Sequence, residues 1–294
     1  MTQAKDAAAH ALDLAGPGRI GIGCMALTGL YGKIDPRDAR AVINSAVDMG
    51  FRLFDTAPLY TDGENERLLG CTLAGHKHCL IATKFGLEAG TDGTLRPNSR
   101  PDAIRVSVDA SLRRLNSERI DLLFQHRPDP QVDDAEVAGM IKLLIAEGKV
   151  DRFGLSRSGA SRAGEVARNV AIACVQNAFS PLSDDLDVDE APTSFTERGM
   201  AFLAYSPLAR GAVVRPRRIY ADDDYRQRSA ATDEAPEFSK ARDQIEALAQ
   251  ENGTSLAGAA LAWVREQDAG IVALPGPRTV DHVSELTSTS LDTF

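Results

Sequence analysis

Leu53-Phe54-Asp55-Thr56-Ala57-Pro58-Leu59-Tyr60 is apolar and β-prone as far as Phe54, then puts an acid on what reads as the last residue of a strand. Pro58 has no amide hydrogen to give to a ladder, so pairing stops there, and the phenol of Tyr60 follows five residues after the acid. A charge at a strand end, followed by a loop carrying a phenol, marks the edge of a site rather than of a core. Immediately upstream, Asp35-Pro36 opens a helix as N-cap and first helical residue, and Ala39, Val42, Ile43, Ala46 and Val47 form its apolar stripe. Gly50 stops that helix and the quoted strand begins at once.

The same unit recurs in both directions. Arg19 to Met25 reads as a short Gly-rich strand, and Glu64 to Ala74 as a helix. Cys79 to Lys84 is a strand, and Ser99-Arg100-Pro101 starts a helix with Ile104, Val108, Leu112 and Leu115 on one face. Ile120 to Gln125 is a strand ending at His126. Asp133 to Glu147 is a helix, Val150 to Leu155 a strand, Ala160 to Asn169 a helix and Ile172 to Gln176 a strand. A helix is expected over Asp187 to Arg198 despite Pro192, then a strand over Ala201 to Tyr205. Two helices (Phe238 to Glu251, Leu256 to Gln267), a strand (Ile271 to Leu274) and a helix opening at Val280 complete the chain. Eight short apolar strands alternating with helices predict an α/β fold of the (β/α)₈ TIM-barrel type. A doubly wound open sheet is the alternative, but no G-x-G-x-x-G opens a helix.

A single barrel domain over 1–294 follows, with residues 1–18 as a loose N-terminal arm and 212–237 as a long loop after the seventh strand. That loop is first basic (Arg215, Arg217, Arg218), then acidic (Asp222, Asp223, Asp224). At 43% hydrophobic and 26% charged residues the chain has ample material for a core. Its net charge of -9 argues against a nucleic-acid backbone binder. There is no run long enough to span a membrane, no secretory signal, and no C-x-x-C among Cys24, Cys71, Cys79 and Cys174; a cytoplasmic protein is expected. His76, His78 and Cys79 form no complete ligand set, so no metal is expected.

In a barrel of this type the C-terminal strand ends share one face, where chemistry sits. Asp55 ends the second strand with Tyr60 just beyond, Lys84 ends the third and His126 the fourth. A free phenol titrates near ~10 and gives up its proton poorly at neutral pH; a lysine cation beside it stabilises phenolate. An aspartate holds that lysine charged, and a histidine can bond the same acceptor as the phenol. Together they would polarise a carbonyl and protonate its oxygen as a hydride reaches its carbon. Each residue has a plainer role when taken alone: Asp55 as a turn residue, Tyr60 as a rim aromatic, Lys84 as Asp55's structural partner, His126 as a core histidine. Their joint placement on three consecutive strand ends favours the site.

Several ordered pieces resemble the aldo-keto reductase family: Phe54-Asp55-Thr56-Ala57 with Tyr60, Ala82 to Gly86, Leu123 to Asp129, Gly154-Leu155-Ser156, Val175-Gln176-Asn177, Tyr205 to Gly211 and Pro275 to Arg278. The resemblance implies reduction of an aldehyde or ketone with NADPH, held without a Rossmann fold, and Asp55, Tyr60 (general acid), Lys84 and His126 as catalytic residues. It implies a cofactor path over Gly23, Cys24, Met25 and Asp55, with Ser156, Arg157 and Gln176 near the carboxamide and Tyr205 stacked on the nicotinamide. Ser206, Pro207, Leu208, Arg210 and Gly211 would follow the pyrophosphate. Gly276 and Arg278 would lie at the 2′-phosphate, with His282 and Glu285 toward the adenine. Arg157 stands where many members have Asn, and Leu286 follows Glu285 in place of Asn. The partner implied is a small carbonyl or alcohol, with no nucleic acid or membrane; monomer and homo-oligomer both stay open. Two other functions are open at this point: a Schiff-base barrel enzyme using Lys84, and a cofactor-binding regulatory protein similar to the family's potassium-channel β-subunits.

Overall fold

The computed structural model describes residues 2–16, 18–90, 94–182, 190–214, 224, 226 and 236–288. Among them, eight parallel strands make one sheet: β1 Ile22–Gly23, β2 Leu53–Asp55, β3 Leu80–Phe85, β6 Ile120–Gln125, β7 Val150–Ser156, β8 Cys174–Ala178, β9 Ala201–Tyr205 and β10 Ile271–Leu274, hydrogen-bonded in that order. A small antiparallel hairpin, β4 Leu87–Ala89 and β5 Leu95–Pro97, hangs from the end of β3. The ring closes where Gly21 N–H donates to Ala273 O (2.9 Å), Ala273 N–H to Arg19 O (3.0 Å) and Gly23 N–H to Pro275 O (2.8 Å). The fold is the (β/α)₈ barrel.

Helices between the strands face it with the stripes the sequence carries. In α2 (Pro36–Asp48) Asp35 accepts from Arg37 N–H at 2.7 Å as N-cap, and Ala39, Val42, Ile43, Ala46 and Val47 are buried. Each large apolar side chain so buried contributes about 1.5–3 kcal/mol. The others are α3 (Glu64–Thr72), α4 (Pro101–Leu115), α5 (Asp134–Ala146), α6 (Ala160–Ala167), α7 (Thr193–Thr196), α8 (Pro236–Glu251), α9 (Leu256–Glu266) and α10 (Val280–Ser288).

Three expectations change. The N-terminal piece is a helix, α1 (Thr2–Ala15), rather than a loose arm. Ala7, Ala11, Leu14 and Ala15 recur at helical spacing and are buried. Ala11, Leu14 and Ala15 join Leu53, Leu122, Cys174, Ala201 and Val272, which lie at or near the starts of their strands, in one apolar cluster. The helix therefore plugs the N-terminal end of the barrel, and alanine's high helix propensity makes the short segment able to do so. Second, the helix expected over Asp187 to Arg198 is reduced to the single turn α7, with Pro192 at its N-cap; residues 187–189 lie outside the described residues. Third, β1 is only two residues long, because the chain turns at once into a 3₁₀ turn over Met25–Leu27. Of the long loop, 212–214, Asp224, Arg226 and the start of α8 are described; the basic run Arg215 to Arg218 and Asp222 and Asp223 are not.

Candidate active site

Side chains alternate across a strand, so residues two apart point the same way. The barrel interior is filled by Leu53, Ala82, Phe124, Cys174 and Leu203, all buried. The residues two further on are Asp55, Lys84, His126, Gln176 and Tyr205. Each strand thus carries an apolar residue inside and a polar one in the same phase at the mouth. Gly154 belongs to the same series and precedes Ser156 by two. A Cβ on Gly154 would stand 2.5 Å from the Phe124 ring and 2.8 Å from Cys174 O, so only glycine leaves room for that ring.

The structure brings Asp55, Tyr60 and Lys84 together. Lys84 Nζ donates to Asp55 Oδ1 at 2.7 Å and to Thr56 O at 2.7 Å, and Lys84 is only 2% exposed. Tyr60 hangs from a turn in which Thr61, Asp62 and Gly63 all have left-handed backbones, and Lys84 Nζ lies 5.2 Å from its ring centroid. Gln176 Nε2 donates to Asp55 Oδ2 at 2.8 Å, a bond across the mouth from β8 to β2. Both carboxylate oxygens of Asp55 are therefore used. His126 is fixed by its backbone, whose N–H donates to Phe85 O at 2.9 Å. Burial, then the positive charges of Lys84, Arg127 and Arg157, hold its imidazole well below the ordinary histidine range, so it is neutral at pH 7. Cys24 lies under the pair, its thiol pushed up by burial and by Asp55.

A polar underlayer was not among the residues singled out from sequence. Thr56 Oγ1 donates to Asn65 Oδ1 (2.7 Å), and Asn65 Nδ2 donates to Cys24 O (2.7 Å), tying the loop after β2 to the end of β1. Glu66 is fully buried, accepting from Thr83 Oγ1 (2.6 Å) and from Arg114 Nε (2.6 Å). The signal for it was present: Asn65 and Glu66 fall on the inward face of α3, where an apolar pair would otherwise stand.

The residues expected along a cofactor occupy the remaining arc of the rim, at the ends of β1 and β7 to β10. Gly23, Cys24 and Met25 lie at the end of β1, where Cys24 N–H donates to Asp55 O (2.9 Å). Ser156 Oγ donates to Gln176 O (2.9 Å), while Arg157, with φ of +52°, donates its own N–H to the same oxygen (3.1 Å). The phenol oxygen of Tyr205 is buried and has no hydrogen-bond partner among the described residues. Ser206, Pro207 and Leu208 lead into a 3₁₀ turn over Ala209–Gly211 in which Ala209, Arg210 and Gly211 have positive φ. Gly276 packs close to β1, a Cβ there standing 3.3 Å from Gly23 O. Arg278 Nη2 donates to Gly32 O (3.1 Å) and Lys33 O (3.0 Å), and its N–H donates to His282 Nδ1 (3.3 Å). Glu285 lies half-buried on α10.

One feature near Arg278 was not foreseen. Arg226, from the long loop, stacks on the Tyr31 ring at 4.5 Å and forks onto Asp224 (2.6 Å for the shortest pair). Burial and the charge of Arg226 lower the Arg278 guanidinium's affinity for its proton, opposed by Asp224. The Arg226 and Arg278 guanidiniums both act on the Asp224 carboxylate there, and forked donors of this kind suit a phosphate. The orphaned Tyr205 oxygen and this cation pair fit a dinucleotide with an extra phosphate. No group of three or more His, Cys, Asp or Glu that could hold a metal occurs among the described residues, and no helix among them is long and apolar enough to cross a membrane.

Comparison with known proteins gives the family. The Aldo/keto reductase family profile matches residues 19–292, and the chain belongs to that family. An aldo-keto reductase of Schizosaccharomyces pombe, yakc, whose name specifies NADP(+), is 30% identical over 283 residues, 90% of this chain and 82% of that protein. A probable aldo-keto reductase of Glycine max is 31% identical over 276 residues, covering 91% and 79%. Among solved structures, a glycerol dehydrogenase from Gluconobacter oxydans superposes with a TM-score of 0.81 at 29% identity, covering 94% of this chain and 86% of that one.

Proposed function

We propose that this chain is an NADPH-dependent reductase of aldehydes or ketones, with Tyr60 as the proton donor. The observation that carries the reading is the buried Lys84–Asp55 pair at 2.7 Å with Lys84 Nζ 5.2 Å from the Tyr60 ring. Asp55 and Thr56 O aim the ammonium, and its charge stabilises the phenolate that Tyr60 becomes when it gives its proton to a carbonyl oxygen. Neutral His126 supplies a hydrogen bond to that oxygen without adding a proton of its own. Bound NADPH would supply the hydride. For the cofactor, Gln176, Ser156 and Arg157 would orient the carboxamide, and Tyr205 would flank the ring. Ser206 to Gly211 would follow the pyrophosphate, and Arg278 with Arg226 would take the 2′-phosphate. The NADP(+) in the name of the S. pombe relative supports this choice. A Schiff-base role for Lys84 is disfavoured by its ion pair, since an amine nucleophile needs its charge removed rather than matched.

The test is NADPH oxidation with a panel of carbonyls, comparing wild type with Tyr60→Phe. Loss of a general acid removes about 10²–10⁴ in kcat, while NADPH binding, followed by fluorescence, persists. A Tyr60→Phe protein with wild-type turnover would overturn the assignment. Tight NADPH binding without turnover on any carbonyl would favour the regulatory role instead.

A further inference from the structure

Arg127 follows His126 at the C-terminal end of β6, on the mouth side of the barrel. Its side chain is half-buried, and its Nε is buried with no hydrogen-bond partner among the described residues. A guanidinium donor withdrawn from water without an acceptor is costly, so such a group ordinarily has a carboxylate beside it. Among the described residues, three acids on or facing this end of the barrel have other partners. Asp129 accepts from Ser99 N–H (2.8 Å) and from Gln131 N–H (3.0 Å). Asp134 is held by Arg162, which also occupies Gln125 Oε1 at 2.6 Å. Asp55 is shared between Lys84 and Gln176. No acid pairs with Arg127 among the described residues, and its charge, with those of Lys84 and Arg157, bears on His126.

We propose that Arg127 is a specificity-determining residue that binds an anionic group on the substrate, so that the preferred substrates are aldehydes or ketones carrying a carboxylate or phosphate. This rests on the reductase reading and sharpens it to a substrate class. An anion supplies the missing acceptor to Nε, and a planar guanidinium can bind it in a fork, which also fixes the carbonyl's orientation toward Tyr60. Nothing in this requires a new chemical step: the anion is held, not transferred.

The test pairs each anionic carbonyl with a neutral counterpart: 3- and 4-carboxybenzaldehyde against their methyl esters, and glyceraldehyde 3-phosphate against glyceraldehyde. The ratio of kcat/KM within each pair is measured for wild type, Arg127→Met and Arg127→Lys. In wild type at least one anionic member is preferred by roughly tenfold or more. Arg127→Met cuts that ratio by roughly ten- to a hundredfold, Arg127→Lys by less, and added salt weakens it in wild type. Which pair shows the effect separates carboxylate from phosphate. Thermal unfolding checks that the variants fold; if Arg127→Met does not, Arg127→Gln takes its place. Turnover with no anionic preference, or a preference that survives loss of the guanidinium, overturns the proposal and leaves the reductase reading intact. No turnover with any carbonyl, neutral ones included, overturns both.

Discussion

Replacing Asp55 with Asn isolates the interaction on which the site is built. In the wild-type protein Asp55 presents one oxygen to Lys84 Nζ at 2.7 Å and the other to Gln176 Nε2 at 2.8 Å. An asparagine has a single acceptor oxygen, so one of these two donors must face an NH₂ group. Whichever donor keeps that oxygen, the charge of Lys84, at 2% exposure, is left with neutral acceptors such as the carbonyl of Thr56. Two unit charges at this separation attract by about 6 kcal/mol at an effective dielectric of about 20, most of which offsets the desolvation of both ions. Removing one partner leaves the other's desolvation uncompensated, which costs about 3–5 kcal/mol. At about 2–4 °C per kcal/mol for a domain of this order, the unfolding midpoint falls by roughly 6–20 °C. The double variant Asp55→Asn, Lys84→Met removes the stranded charge, and urea titration should show it recovering about 2 kcal/mol or more of that loss. Both proteins lose turnover, because Lys84 is no longer held by Asp55 in the single variant and is absent from the double one. The cost persists in 1 M salt, since a buried pair is screened little. A single variant as stable as wild type, or a double variant less stable than the single one, would refute the argument that Asp55 is there to compensate a buried charge.

Other outcomes follow from the same geometry. His126 is held neutral below its unfolded value, so the unfolded chain binds more protons as pH falls through about 6.5 and stability drops below that point; urea titrations at pH 7.5 and 5.5 should show a loss that His126→Gln lacks. Gly154→Ala puts a methyl carbon 2.5 Å from the Phe124 ring and 2.8 Å from Cys174 O, neither free to yield, and should destabilise by about 1–3 kcal/mol in the same assay. Arg114→Met strands fully buried Glu66 with only Thr83 Oγ1, at a cost of about 3–5 kcal/mol read by thermal unfolding. Arg278→Gln should weaken NADPH binding by tenfold or more while changing NADH binding far less, since only the former carries the phosphate its guanidinium would meet.

How much of this was legible in the sequence depends on the range over which each feature is encoded. The barrel was readable because its signal is local and repeated: short apolar strands, capped helices such as that opened by Asp35-Pro36, and glycine stops recur along the chain. The convergence of Asp55, Lys84 and His126 was readable as soon as the fold was, because strand ends in a parallel barrel must share a face. The N-terminal helix was missed because its apolar stripe is made of alanines, and only the open bottom of the barrel, assembled from six distant strands, makes burying that stripe favourable. The Asp55–Gln176 bond joins residues 121 positions apart, and no local pattern encodes such a pairing. Arg127 shows the same limit from the other side. The sequence shows a guanidinium beside a histidine, but that its Nε lacks an acceptor among the described residues emerges only from the fold, in which Asp129, Asp134 and Asp55 are each engaged elsewhere. Which polar groups are present is a property of the sequence; which of them remain unsatisfied is a property of the fold, and the unsatisfied ones are what a ligand can complete.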